Sequence, residues 1–190
     1  MYLPTFEINS LEDWMRNPPK GKEWVDGQLI DKHRAISIDG HLIENGGMSL
    51  KHGRVQAKLA LSWGVYKDQS NLGGEVYTEA PCRTNKQGRK PDVSYLTQDL
   101  LMQWGDLDAL PQSFPLSAEV ASPTDFAETI IAKAQEYLQL GGEEVWLLLP
   151  NNRWIIVVTH ASRKIFVSGE TATTQIVLPG FSIAVDDLLA

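Results

Sequence analysis

The sequence predicts an α/β protein: a central mixed β-sheet flanked by helices, with an N-terminal β-hairpin and a C-terminal β-meander. Three stretches carry that expectation. Phe114–Ala121, the amphipathic segment Asp125–Leu138 and the apolar run Glu144–Leu149 form the pattern of a βαβ unit. From Ser49, Val55, Leu59, Trp63 and Tyr66 share one helical stripe, with Lys51, Arg54 and Lys58 off it. Glu23–Ile30 reads as two short strands around Asp26-Gly27, a two-residue turn signal.

Composition bounds the rest. With 190 residues, 43% hydrophobic and 22% charged, the chain is expected to be one globular domain, residues 1–190, with a full core. Its longest apolar runs, such as Val145–Leu149 and Ile155–Val158, fall far short of the roughly 18 residues of a membrane span. The opening MYLPTFEINS lacks a basic segment and an apolar stretch, so it is no secretory signal, and a cytoplasmic protein without a membrane partner is expected. The single cysteine, Cys82, forms no internal disulfide and builds no thiolate zinc site alone, which agrees with a reducing compartment. A net charge of −7 argues against coating nucleic acid through bulk electrostatics. It leaves room for a nuclease, because carboxylates that hold a divalent cation add negative charge that the cation locally reverses.

In chain order, Ser10 caps a short helix to Arg16 with Asp13 at the third position, and Asn17-Pro18-Pro19-Lys20-Gly21 breaks it. Residues 31–48 are strand and loop interrupted by Gly46-Gly47. After the Ser49 helix, Glu75–Ala80 and Pro91–Thr97 are strands expected to pair antiparallel across a polar turn, residues 83–90. Residues 98–113 fit a short helix and a loop. Asp125 is the expected N-cap of the following helix, with Glu128 in a capping-box relation and Gly141-Gly142 at its end. Trp154–Thr159, Lys164–Ser168 and Thr174–Leu178 complete the meander, before a last short element at Val185–Leu189.

The chemistry centres on Glu119. A carboxylate among Leu116, Ala118, Val120 and Ala121 is expensive to bury unless it is paired or metal-bound. Lys133 is a candidate partner: the strand climbs about 10 Å from Glu119 to Ser122, and the helix returns about 12 Å from Asp125 to Lys133. The two residues should therefore lie level.

Pro91-Asp92, a strand glutamate and a lysine together resemble the PD-(D/E)xK nuclease superfamily, whose restriction-endonuclease-like core is a mixed sheet flanked by helices. The chain is more closely similar to a bacterial family described as putative restriction endonucleases. GRKPDVSYL, AEVASPTD, Lys133 with Tyr137, EVWLLLP and the closing LPGFSIAVDDLL carry the resemblance over almost the whole chain. Where the superfamily lysine normally stands, two residues after the glutamate, this chain has Ala121, and Lys133 on the next helix is the match. The resemblance implies a Mg²⁺- or Mn²⁺-dependent endonuclease acting on DNA more readily than RNA. Asp92, Glu119 and Lys133 would be catalytic, with Asp92, Glu119 and the Val120 carbonyl as metal ligands. His52, Gln56, Glu23 and Tyr137 would support the site, Glu23 as an outer ligand. Basic residues cluster at Lys51, Arg54 and Lys58 and at Arg83, Lys86, Arg89 and Lys90, either as ordinary solvated faces or as contacts for nucleic acid through Lys51, Arg54, Lys58, Arg89 and Lys90, and a homodimer is the expected assembly.

Each residue also has an ordinary structural role open to it. Asp92 can end a turn, Glu119 and Lys133 can be a structural ion pair, and Lys133 alone a solvated helix lysine. His52 can be a cap, Tyr137 core packing, and Glu44, Asp125 and Glu128 loop and cap groups. The alternative function class is a nucleic-acid-binding module that keeps the fold without useful turnover. Two variant behaviours follow. Asp92→Asn should leave the melting temperature unchanged or higher by relieving carboxylate repulsion, and Lys133→Met should leave folding intact.

Overall fold

The structure, a computed structural model, describes residues 7–32, 35–36, 42–43, 49–123 and 125–190. Ser10 caps α1 (Leu11–Arg16), its hydroxyl accepting from the Asp13 amide. β1 (Lys22–Val25) and β2 (Gln28–Asp31) form the expected hairpin. Asp26 (φ 49°) and Gly27 (φ 79°) both adopt positive φ, as a type I′ turn requires. β3 (Ala35–Ile36) pairs with β4 (Leu42–Ile43); the rest of the predicted strand and loop over residues 31–48, Glu44 included, lies outside the described residues apart from the end of β2 and Lys32.

Ser49 caps α2 (Leu50–Gln69), accepting from the His52 amide. β5 (Glu75–Thr78) follows, then β6 (Cys82–Arg83) and β7 (Gly88–Arg89). The polar stretch 83–90, expected to be only a turn, thus contributes to two short strands. β7 adds to β1, giving a small sheet of order β2-β1-β7-β6. Gly88 is required there, because a Cβ would meet the Trp14 ring of α1 at 2.4 Å. β8 (Val93–Leu96), α3 (Gln98–Trp104), β9 (Leu116–Val120), α4 (Ala127–Leu138) and β10 (Glu144–Leu149) come next. The chain closes with β11 (Trp154–Thr159), β12 (Arg163–Val167), β13 (Thr171–Thr173), β14 (Ser182–Ala184) and α5 (Val185–Leu189).

The main sheet has the order β12-β11-β10-β9-β8-β5. It is mixed: β9 and β10 run parallel, joined through α4, and the other pairs are antiparallel. Two-residue alternation sends Leu116, Ala118 and Val120 to a core shared with Val55, Leu59 and Trp63 of α2. The opposite face packs Ile130, Ala134 and Tyr137 of α4 against Val145 and Leu147. Glu119 therefore points to the α4 side. No helix among the described residues is long and apolar enough to cross a membrane.

Two further sequence expectations are corrected. Phe126 is the N-cap of α4 and makes no side-chain capping bond; Asp125 instead accepts from the Ser122 amide at 2.7 Å, closing the loop before the helix. The third meander strand, Thr174–Leu178, is replaced by the β13–β14 pair. The cause is Glu144, fully buried, whose Oε2 accepts from the Gln175 and Ile176 amides at 2.8 and 2.7 Å. Those N–H groups are satisfied by a side chain and are withdrawn from any ladder.

Candidate active site

The site lies where β5, β8 and β9 end side by side. Val93 pairs with Ala118 and with Thr78, so one further step of the same registers sets Asp92 across from both Glu119 and Glu79. Three carboxylates thus stand in a row on adjacent strand ends, where directly opposed like charges are unfavourable without compensation. Glu79 leaves its strand at φ 57°, the left-handed region, and its amide donates to the Pro91 carbonyl at 3.2 Å.

Compensation comes from buried cations. Lys32 places its ammonium 2.6 Å from Asp92 Oδ1 and 2.7 Å from Glu79 Oε1, with its side chain only 2% exposed. Lys133, from α4, lies 3.3 Å from Glu119 Oε2 and 3.7 Å from Glu23 Oε2. Asp92 Oδ2 accepts the Val120 amide at 2.7 Å and lies 3.3 Å from His52 Nε2. Gln56, one turn further along α2, donates to the Asp92 carbonyl at 2.8 Å and to Glu79 at 3.2 Å. Tyr137 donates its hydroxyl to Glu119 Oε1 at 2.6 Å while its ring is buried in the core, so it serves both packing and site.

These contacts set the protonation of the row. Burial opposes ionisation of Asp92, but the Lys32 ammonium and the His52 contact outweigh it and hold the carboxyl far below the usual range. Burial raises both Glu119 and Glu79, with Lys133 and Lys32 respectively offsetting only part of the effect. For His52, burial disfavours the charge, yet the Asp92 carboxylate 3.3 Å away raises it above its ordinary value. Lys32 is raised despite burial by Asp92, Glu119 and Glu79.

The site residues singled out in the sequence fall into two groups. Asp92, Glu119, Lys133, His52, Gln56, Tyr137 and Val120 come together. Glu23 is adjacent and buried, and its partners are cations and an amide: Arg89 at 3.1 Å, Lys133 at 3.7 Å and the Lys90 N–H at 3.0 Å. Arg89 and Lys90 are not surface contacts for nucleic acid, which corrects the sequence reading. Arg89 is buried between Glu23 and Glu136, and the Lys90 ammonium donates to the Pro19 carbonyl at 2.6 Å beside the Trp14 ring. Lys51, Arg54 and Lys58 remain on the outer side of α2, with Lys51 and Lys58 donating to the Pro150 and Asp187 carbonyls.

Sequence reasoning missed Lys32 and Glu79. Glu79 was within reach, since the predicted β5–β8 pairing carries it opposite Asp92. Lys32 had no local signal, because its partners are 47 and 60 residues away.

The donor set suits a hard cation: Asp92, Glu119 and Glu79 offer oxygen only, and an ammonium already sits between two of them as a cationic stand-in. Among the described residues, no three of His, Cys, Asp and Glu stand arranged to hold a metal ion. Lys32 and Lys133 are the cations that these carboxylates pair with instead.

A mixed sheet flanked by helices, with opposed carboxylates at its strand ends, belongs to the nuclease-like α/β class. The chain belongs to the Uma2 family, described as "Putative restriction endonuclease", whose family model matches residues 27–186. Among solved structures it is similar to a putative nuclease of DUF820 from Anabaena variabilis. The TM-score is 0.75 and the identity 13%, over 95% of this chain and 97% of that one. That likeness concerns the fold. No curated protein matches.

Proposed function

We propose that the chain, acting as one domain, is a divalent-cation-dependent endonuclease that hydrolyses phosphodiester bonds in DNA with Mg²⁺ or Mn²⁺. The observation that carries this reading is the placement of Asp92 across from Glu119, with the Lys133 ammonium 3.3 Å from Glu119 on the same strand ends. Asp92 and Glu119, with the Val120 carbonyl, would hold the cation. When bound there it supplies Lewis-acid polarisation of a phosphate oxygen and a water of lowered pKa.

The protein's own groups do the rest. The Val120 amide and His52 fix the Asp92 carboxylate, and Tyr137 fixes Glu119. Lys133 faces Glu119 from the helix; Glu119 and Glu23 keep it an ammonium, which stabilises the charge that develops on the phosphate. Lys51, Arg54 and Lys58 supply the outer contacts to the phosphate backbone.

Nicking of supercoiled plasmid in Mn²⁺, with EDTA as control, tests the reading. Wild type should nick in Mn²⁺ and not in EDTA, and Glu119→Gln, shown folded by circular dichroism, should be slower by about 10² or more. Equal rates would remove Glu119 from the chemistry, and no nicking by wild type in Mn²⁺ would favour the binding module without turnover.

A further inference from the structure

Lys32 is placed unlike the other basic residues of the site. Its ammonium lies within 2.7 Å of carboxylate oxygens from two neighbouring strand ends, Asp92 and Glu79, and almost none of its side chain is exposed. Lys133 serves the other end of the row, at Glu119 and Glu23. A lysine is a single positive charge with three donors and no acceptor. Between two carboxylates, it does what a hard cation with oxygen ligands does, without the second charge.

We propose that Lys32 is a tethered counter-ion of this site, and that the cation enters by displacing its ammonium from Asp92 and takes Glu79 as a further ligand beside Asp92 and Glu119. The inference rests on the endonuclease reading for the presence of a cation. Charge favours exchange over addition. With Glu79, Asp92 and Glu119 ionised against Lys32 and Lys133, adding a divalent cation would leave the row with one excess positive charge, two with His52 protonated, and exchange for Lys32 removes one of them. Geometry agrees, because Asp92 Oδ1 and Glu79 Oε1 are bridged by Lys32, whereas Asp92 Oδ2 is held by the Val120 amide. Freeing the bridged oxygens exposes a matched pair of acceptors without disturbing the anchored one. The Gln56 amide donates at 3.2 Å to the same Glu79 oxygen, Oε1, so the acceptor freed there is the lone pair that Lys32 occupies.

Two measurements test the exchange without reading activity. Mn²⁺ titration followed by the electron paramagnetic resonance of free Mn²⁺ should show Lys32→Met binding about tenfold or more tightly than wild type, as for removal of a competing occupant. Glu79→Gln should bind about tenfold more weakly. In the wild-type protein, acetylation by an N-hydroxysuccinimide ester, located by peptide mass spectrometry, should leave Lys32 unmodified in EDTA. In saturating Mn²⁺, Lys32 should be modified at least tenfold faster. Lys32→Met affinity equal to or weaker than wild type, or Lys32 equally protected while Mn²⁺ is bound, overturns the exchange and leaves the endonuclease reading standing. Absence of Mn²⁺ binding by both wild type and Lys32→Met overturns the cation site itself, and the exchange with it.

Discussion

Asp92→Asn separates two pictures of the acidic row. If the row were a set of uncompensated carboxylates, removing one charge would stabilise the protein. The structure gives the opposite sign. Asp92 accepts from Lys32 at 2.6 Å and from the Val120 amide at 2.7 Å, and His52 lies 3.3 Å away. A side-chain amide presents one acceptor and one donor, so whichever way the substituted group turned, its NH₂ would face either the Val120 N–H or the Lys32 ammonium. Breaking a buried ion pair from one side costs about 3–5 kcal/mol. Lys32 keeps Glu79, which places the loss near the lower figure. For a chain of this size, about 3 kcal/mol corresponds to a fall of roughly 6–12 °C in Tm. Because Asp92 is held far below its ordinary value of 3.8, its contribution is complete above that pH and fades only as pH falls through the folded-state value. Calorimetry at neutral pH in EDTA measures the difference, with the exposed Asp106→Asn as a control expected to stay within about 0.5 kcal/mol. A Tm for Asp92→Asn equal to or above wild type would refute the pairing of Asp92 with Lys32 and restore the repulsion picture.

Lys133→Met should slow plasmid nicking by roughly 10². It should also cost about 3 kcal/mol by chemical denaturation, because two buried carboxylates lose a partner, although Glu119 keeps Tyr137 and Glu23 keeps Arg89. Adding Ala121→Lys should restore part of the rate. Tyr137→Phe removes the hydroxyl from a charged acceptor and should lower stability by about 1.5 kcal/mol, read as a Tm fall of roughly 3–6 °C. His52 is raised above its ordinary 6.5 by Asp92, so the stability it adds is complete below that value and is lost as pH rises through the folded-state value. His52→Gln should therefore narrow its stability deficit against wild type as pH climbs above 6.5; a constant deficit across that range would exclude a charged His52.

Local periodicity made the frame of this fold legible. The βαβ unit, the α2 stripe and the Asp26-Gly27 hairpin each rest on residues close in sequence, and rise per residue alone brought Lys133 level with Glu119. Tertiary satisfaction decided what remained. Arg89 and Lys90 look like surface charges in sequence, and only the packing of α1 and β1 against β7 buries them with Glu23 and Glu136. Thr174–Leu178 has strand composition, yet Glu144 captures its amides. Lys32 carries no periodic or turn signal, and its place in the site exists only after β2, β5 and β8 have been brought together.

The central claim is that Asp92 and Glu119 hold the divalent cation that drives phosphodiester hydrolysis. Anomalous scattering from a crystal soaked in Mn²⁺ tests it without reference to rate or substrate. One strong peak is expected within bonding distance, about 2.0–2.3 Å, of carboxylate oxygens from both Asp92 and Glu119. Mn²⁺ bound only at sites away from these two residues, in a protein shown to be saturated, would contradict it.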